Sequence, residues 1–448
     1  MDPVIIGLVI GMLAVMAVSV TFMARLEWLL LLAIVTIMFA DTYLFPNEAD
    51  SAAFYYTRFI PLGLVALRSL MASKGSFAPA RSLPGVFLKP FGLLCLLAAF
   101  ATSYSDHPLK NAMRALSMAL VLISFGVGIP SCMPDNAALK RGLRTIVMIL
   151  GVIILISLVT YPVMDHPVMD LGDYVRVKGP FKNPNTLGLL CMLAFFPLAA
   201  MWWEDRRQRF VGVLALAAVM GIVLSGSRGS FIGLLTGLMV VTVFRGLDRK
   251  LKGAIVTVIA VGLVSLIFLP GLQGLMRTDT GLRFDLWQRA YQIGMRSPVA
   301  GTTFGDVDEV FDADKEYLQS IDIYSAGSHN EYMRMFVAVG LPGLLLALFG
   351  LFSIVIRSFR SIKYGGDPII QVSLLAAVSA GMVNAVFEDW LFAFGGAPSL
   401  PFWIFLAVLS IYIHRYSFGG KAISRQPQSI PSRIPVYPQP GLARRGVL

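Results

Sequence analysis

Charge is scarce in this chain. Of 448 residues only 14% are Asp, Glu, Lys or Arg, while 56% are hydrophobic. Soluble domains carry roughly 25% charged residues, so a chain of this length could not clothe a water-facing surface. Histidine is rarer still, at four residues. The three cysteines, Cys95, Cys132 and Cys191, form no C-x-x-C pair. Neither a zinc site nor a disulfide framework is suggested. The acids fall short of the bases, and the formal net charge is +11. In a soluble protein that excess would raise the question of nucleic acid. With a mean hydropathy of +0.74, basic cytoplasmic loops explain it better, and no nucleic-acid partner is expected. No internal repeat is visible.

What the chain does have is long apolar runs. A membrane-spanning helix needs about 20 apolar residues. Spans are expected at 4–23, 28–45, 55–71, 85–103, 112–130, 143–163, 186–203, 210–226, 229–244, 253–272, 335–356, 368–388 and 398–414. The fold class is therefore all-α, a polytopic transmembrane helical bundle of about 12–13 spans with a long periplasmic loop containing short helices. The run Val4 to Met23 has Asp2 before it and Arg25 after it, an order that fits a first span with its N-terminus outside, not a cleavable signal. Residues 1–416 form the transmembrane domain, including the loop 273–334. Residues 417–448 form a basic tail whose prolines, from Pro427 to Pro440, read as a disordered cytoplasmic extension.

Charge tests this map. The gaps after alternate spans, with the tail, hold 24 of the 37 Lys and Arg residues and 6 of the 26 acids. By the positive-inside rule those gaps and the C-terminus are cytoplasmic. Two long gaps lie on the outer side, near 164–185 and 274–334.

Four outward segments carry residues suited to chemistry. In YVRVKGPFKNPNTLG (174–188), Arg176, Lys178 and Lys182 stand beside Asn183-Pro184-Asn185 at an expected helix start, with Asn185 and Thr186 opening the helix. Basic side chains at a helix N-terminus make an anion site. The alternative is an ordinary polar turn with snorkelling lysines. In LSGSRGSFIGLL (224–235), Arg228 occupies the turn of a tight helical hairpin. An arginine at that depth is costly and often functional, or else it meets a lipid headgroup. In GLRFDLWQRA, Arg283 and Arg289 sit on a segment whose apolar residues recur at helical spacing. That pattern suggests an amphipathic helix lying on the membrane or capping a cavity, and its basic face has headgroup contact as the plainer reading. In SAGSHNEYMRMFVAVGLPG, His329 and Asn330 stand where the longest outer loop re-enters the membrane. An imidazole there can accept a proton near neutral pH. The acidic stretch 306–316 does not match a D-x-[DN]-x-[DN]-G calcium loop and reads as a solvated turn. The four segments share the outer boundary, which points to one site. Arginines bind phosphate oxygens bidentately and stabilise a leaving diphosphate without metal.

These residues resemble the O-antigen ligase and polymerase superfamily of bacterial envelope glycosyltransferases. The resemblance rests on RVKGPFKNPN, SGSRGS, RFDLW, PVAG and SHNEYMRMFVAVGLPG, in that order across 174–347. It implies a glycan donor on undecaprenyl diphosphate, an acceptor sugar such as lipid A-core, and transfer in the periplasm with inversion, without metal or cofactor. It implies Arg228 and Arg283 as diphosphate binders and His329 as catalytic base or acceptor-orienting group. Arg176 would be a supporting contact, with Asn185, Arg289 and Asn330 as further substrate-binding candidates. GTTFG at 301–305 departs from the more glycine-rich turn of the family, and the proline-rich tail is foreign to its pattern. Ligase is slightly favoured over repeat-unit polymerase, and a protein-directed glycan ligase is a third form. A transporter or flippase, and a non-catalytic envelope scaffold, are rivals from other classes. Transporters show buried charges and broken helices near the midplane, whereas here the polar residues collect at one boundary.

Overall fold

The computed structural model describes residues 26–42, 59–74, 84–160, 168–170, 175–244, 280–313, 327–364 and 368–422, with 253 and 257. The first expected span, the tenth apart from 253 and 257, and the tail beyond 422 lie outside the described residues. Each remaining expected span has its helix. These are α1 (Leu26–Ala40), α2 (Ile60–Lys74), α3 (Gly85–Ala101), α4 (Pro108–Cys132), α5 (Asn136–Thr160), α6 (Pro184–Glu204), α7 (Arg209–Ser225) and α8 (Arg228–Phe244). The series resumes, after two loop helices α9 (Thr280–Gly294) and α10 (Val307–Asp312), with α11 (Glu331–Tyr364), α12 (Pro368–Asn384) and α13 (Ser399–Ala422). Five helices among the described residues are long and apolar enough to cross a membrane, and six shorter ones are apolar. A two-stranded antiparallel ribbon, β1 (Val168–Asp170) with β2 (Val175–Val177), precedes α6. The chain is an all-α polytopic bundle.

Why these runs fold as helices follows from the solvent. Lipid satisfies no backbone N–H or C=O, so a spanning segment must satisfy its own. The outer surface shows which solvent it meets. On α7 the exposed residues are Phe210, Val213, Leu216, Met220 and Val223. On α11 they are Leu341, Leu345, Phe349, Phe352 and Ile356. The spacing of three and four makes each set one helical stripe, and a stripe of bare phenylalanine, leucine and valine is a lipid-facing surface. By contrast α13 is buried on every side from 401 to 413. Its Trp403 meets Phe91 edge-to-face at 4.8 Å and Phe394 at 5.0 Å.

Small residues let the central helices close up. Gly229, Gly233 and Gly237 recur every four residues along α8. A Cβ on Gly233 would stand 2.8 Å from the Ala380 carbonyl oxygen on α12, and Gly237 faces the Phe196 ring of α6. This is the small-xxx-small solution to packing without a hydrophobic drive.

The two ends of the bundle differ. At one end Lys140 of α5 pairs with Glu204 of α6 at 2.9 Å. Arg144 bonds Gln208, and Arg415 of α13 bonds Asn136 at 3.0 Å. This is the end the charge map assigns to the cytoplasm. The other end gathers the starts of α6, α8, α11 and α13 with the ends of α7 and α12.

The loop before α11 is tied into that helix. Pro342 has no N–H to give the Ala338 carbonyl, and Gly340 breaks the helix with φ 66°. The freed carbonyls of Val337 and Ala338 accept from the N–H groups of Thr302 and Thr303, each at 2.8 Å, and Leu341 N–H donates to Pro298 at 2.7 Å. PVAG and VGLPG, motifs forty residues apart, are thus two sides of one junction. The GTTFG segment supplies its partners through main-chain N–H groups. The described part of the acidic stretch, 306–313, is more than a solvated turn, although Glu309 and Asp312 are exposed. Residues 307–312 are helical, and Asp308 pairs with Arg114 and Arg334.

Candidate functional site

The α12–α13 turn, residues 385–398, is where the four outward segments meet. The first arrives through α6. Its cap is Asn183, whose side chain accepts from Asn185 N–H at 2.8 Å, with Pro184 in the first helical position. The cap therefore falls two residues before Asn185, and the Asn185 side chain is left for other work. Its Oδ1 accepts from Arg176 of β2, and its Nδ2 donates to Glu388 Oε1 at 2.7 Å. Arg176 Nε also donates to the Ser225 carbonyl at 2.7 Å, holding the end of α7.

The second segment is the α7–α8 hairpin. Gly226 closes α7 in the left-handed conformation, φ 59°, which only glycine adopts without cost. Arg228 then opens α8. Its neighbour Gly229 lies so close to the turn that a Cβ there would stand 2.9 Å from Asn384 Nδ2 and 3.3 Å from Phe387 Cβ. The third segment is α9, an amphipathic helix with Leu286, Ala290 and Ile293 buried. Arg283 Nη1 donates to the Phe387 carbonyl at 2.6 Å, and Nη2 lies 3.4 Å from Glu388 Oε1. Trp287, one turn on, sets its ring 6.5 Å from Phe387. The fourth is the start of α11. Glu331 N–H donates to the Ala385 carbonyl at 2.9 Å, and Tyr332 Oη donates to Met382 at 2.7 Å. His329 precedes it in the left-handed region, φ 43°. A non-glycine residue held there costs energy and is a pointer to function.

Two sequence-predicted residues make structural bonds away from the turn. Arg289 Nη2 donates to the Phe311 carbonyl at 2.8 Å, joining α9 to α10. Six residues from Arg283 on a helix, it faces another direction. Asn330 caps α11, its Oδ1 accepting from the N–H groups of Tyr332 at 3.0 Å and Met333 at 3.1 Å.

Glu388, at the centre, was not singled out from sequence. The twelfth span was expected to run to 388, but α12 ends at Asn384, which leaves Glu388 and Asp389 in the turn. A signal was present, since beyond Glu331 the only acids are Asp367, Glu388 and Asp389. Burial pushes the Glu388 carboxyl up from the ordinary carboxylate range. Arg283, His329 and the Asn185 amide pull the other way and do not cancel it, while Asp389 adds to the rise. His329, two residues before Glu331, is brought to the same turn by the Glu331–Ala385 bond. Asp308 shows the opposite balance. Burial opposes its ionisation, but Arg334, Arg114 and Lys110 outweigh burial and hold it below the ordinary range.

Beside this network opens a cavity of about 440 Å³. It is lined by Asn185 and Glu388 from the network, by Lys110, Arg114, Asp308 and Arg334, and by aromatic walls including Phe304, Trp390 and Phe392. Arg334 bridges Asp308 and Asp389, the latter at 3.3 Å.

Residues 212–348 match the O-antigen ligase family. The stretch takes in Arg228, Arg283, Arg289, His329 and Asn330, and leaves Arg176, Asn185 and Glu388 outside. The resemblance read from the ordered motifs is upheld by this match. A protein of Haemophilus influenzae described as uncharacterized is 25% identical over 155 residues, 30% of this chain and 39% of its own length. The chain thus matches under half the length of that curated relative.

Proposed function

We propose, for a multi-pass membrane protein of the O-antigen ligase-like superfamily, that it moves a glycan from undecaprenyl diphosphate to an acceptor sugar, lipid A-core or similar, at the periplasmic face of the inner membrane. The observation that carries the reading is the meeting of Arg176, Arg228, Arg283 and His329, far apart in sequence, around one turn at one end of the bundle. Three guanidinium groups there suit a diphosphate leaving group. Their charge is preorganised in a partly desolvated site, where electrostatic stabilisation is strongest.

The chemistry follows from those roles. An acceptor hydroxyl attacks the anomeric carbon as His329 takes its proton. The bond from that carbon to the diphosphate oxygen breaks, and undecaprenyl diphosphate departs with the electron pair. Arg228 and Arg283 bear the charge that develops on it, and Arg176 with Asn185 steadies the α6 start. Glu388 fixes Asn185 and Arg283 relative to each other and is a positioning residue.

Complementation of a deletion strain tests the reading. Wild type restores surface glycan, and His329→Ala and Arg228→Ala lose it at normal protein level. Full activity in both variants defeats the proposal. Polymer accumulating on the lipid carrier in the deletion strain marks a ligase, and single repeat units on the core mark a polymerase.

A further inference from the structure

We propose that the 440 Å³ cavity is the acceptor pocket, that it takes an unphosphorylated pyranose, and that Glu331 receives one of the sugar's hydroxyl groups. The inference rests on the transferase reading for the word acceptor, and on the cavity alone for the saccharide.

Glu331 supplies the first observation. It is 2% exposed and lines the cavity. Its Oε2 has no hydrogen-bond partner among the described residues. A buried carboxylate oxygen without a donor is expensive, and a ligand hydroxyl is a donor of the right kind. The second observation is its place. Glu331 is two residues from His329, and its N–H is fixed to Ala385, three residues from Glu388. Glu331 therefore joins the cavity wall to the segment that carries the proposed base, while His329 itself is not among the lining residues.

Charge decides which sugar. Five carboxylates line the cavity, Asp41, Asp308, Glu331, Glu388 and Asp389, against the three cations Lys110, Arg114 and Arg334. The two arginines are already paired with Asp308. Arg228 and Arg283, assigned to the diphosphate, and the supporting Arg176 are not among the lining residues. Lys110 also lies 3.9 Å from Asp308, so a phosphate group would find every cation of the cavity already engaged by a carboxylate. A hydroxyl-rich neutral ring, or an amino sugar, meets both donors and acceptors, while Phe304, Trp390 and Phe392 offer apolar faces to its C–H groups. The volume falls within the roughly 300–1,000 Å³ of small-molecule sites.

Saturation-transfer NMR on the full chain in detergent micelles tests this with three probes: methyl β-D-glucopyranoside, D-glucosamine and glucose 6-phosphate. The first two are expected to receive magnetisation on their ring protons, and glucose 6-phosphate to receive roughly tenfold less, the factor that about 1.4 kcal/mol provides. Glu331→Gln, which keeps the shape, and Met113→Trp, which fills the cavity from α4, both remove the methyl glucoside signal. Equal signals from glucose 6-phosphate, no signal from any sugar, or an undiminished signal in both variants overturns the proposal. Undecaprenyl diphosphate binding in the same samples separates the two ideas. Lipid bound without saccharide sinks the pocket alone, and saccharide bound without lipid sinks the donor reading and leaves the pocket standing.

Discussion

At Glu388 burial and ion pairing pull against each other, and burial wins. The consequence for stability has a definite sign. A carboxyl whose native pKa is raised favours folding fully at pH below its unfolded value, and that contribution is lost as pH rises through the native value. Glu388→Gln carries no such group. The melting temperature of wild type relative to Glu388→Gln is therefore expected to fall as pH is raised from about 4 towards 8, measured in one detergent across a buffer series. A difference that is flat or grows with pH contradicts the assignment. Residue types in this site were legible in the sequence because guanidinium groups are scarcer on the outer side of a membrane protein than on the cytoplasmic side. Their partners were not. Asn185 was expected to open a helix, yet Asn183 holds the cap and thereby frees Asn185 for Glu388. Asn330, a substrate-binding candidate, also caps α11 through its Oδ1. Such choices between neighbouring amides depend on backbone angles that composition does not reveal.

Among elements, α6, α8 and α12 form the scaffold on which the hairpin arginine and the α12–α13 turn are hung. Gly233 sets the distance between α8 and α12, because its missing Cβ would press on the backbone of Ala380 at 2.8 Å. Gly233→Val should force the helices apart and cost about 1–3 kcal/mol, read as a lower midpoint in thermal unfolding and reduced yield in the membrane. A variant as stable as wild type means the helices do not approach as described. Hydropathy located each described span because a run of apolar residues needs no knowledge of its neighbours. It missed the helix ends. The end of α12 was set four residues late, since Val386 and Phe387 are apolar but lie in a turn. It also gave no sign that Pro298 to Thr303 plugs the break at Gly340, a pairing across some forty residues.

On the scale of the whole molecule the basic turns gather at one end and the arginine–histidine network at the other. Sidedness is checked in a cysteine-free background with a membrane-impermeant maleimide. Arg296→Cys, beyond α9, should label in intact spheroplasts, and Arg207→Cys, in the α6–α7 turn, only after lysis. Labelling of both in intact cells, or the reverse order, contradicts the topology. The central claim is that one constellation of arginines and a histidine releases undecaprenyl diphosphate as it hands a glycan to an acceptor. Its most direct measure is turnover by purified protein in lipid nanodiscs, supplied with an undecaprenyl-diphosphate glycan and a sugar acceptor. Wild type should couple glycan transfer to release of the lipid diphosphate, and Arg283→Ala should slow both by about 10²–10³-fold. Transfer at the wild-type rate in Arg283→Ala, Arg228→Ala and His329→Ala alike would contradict the account.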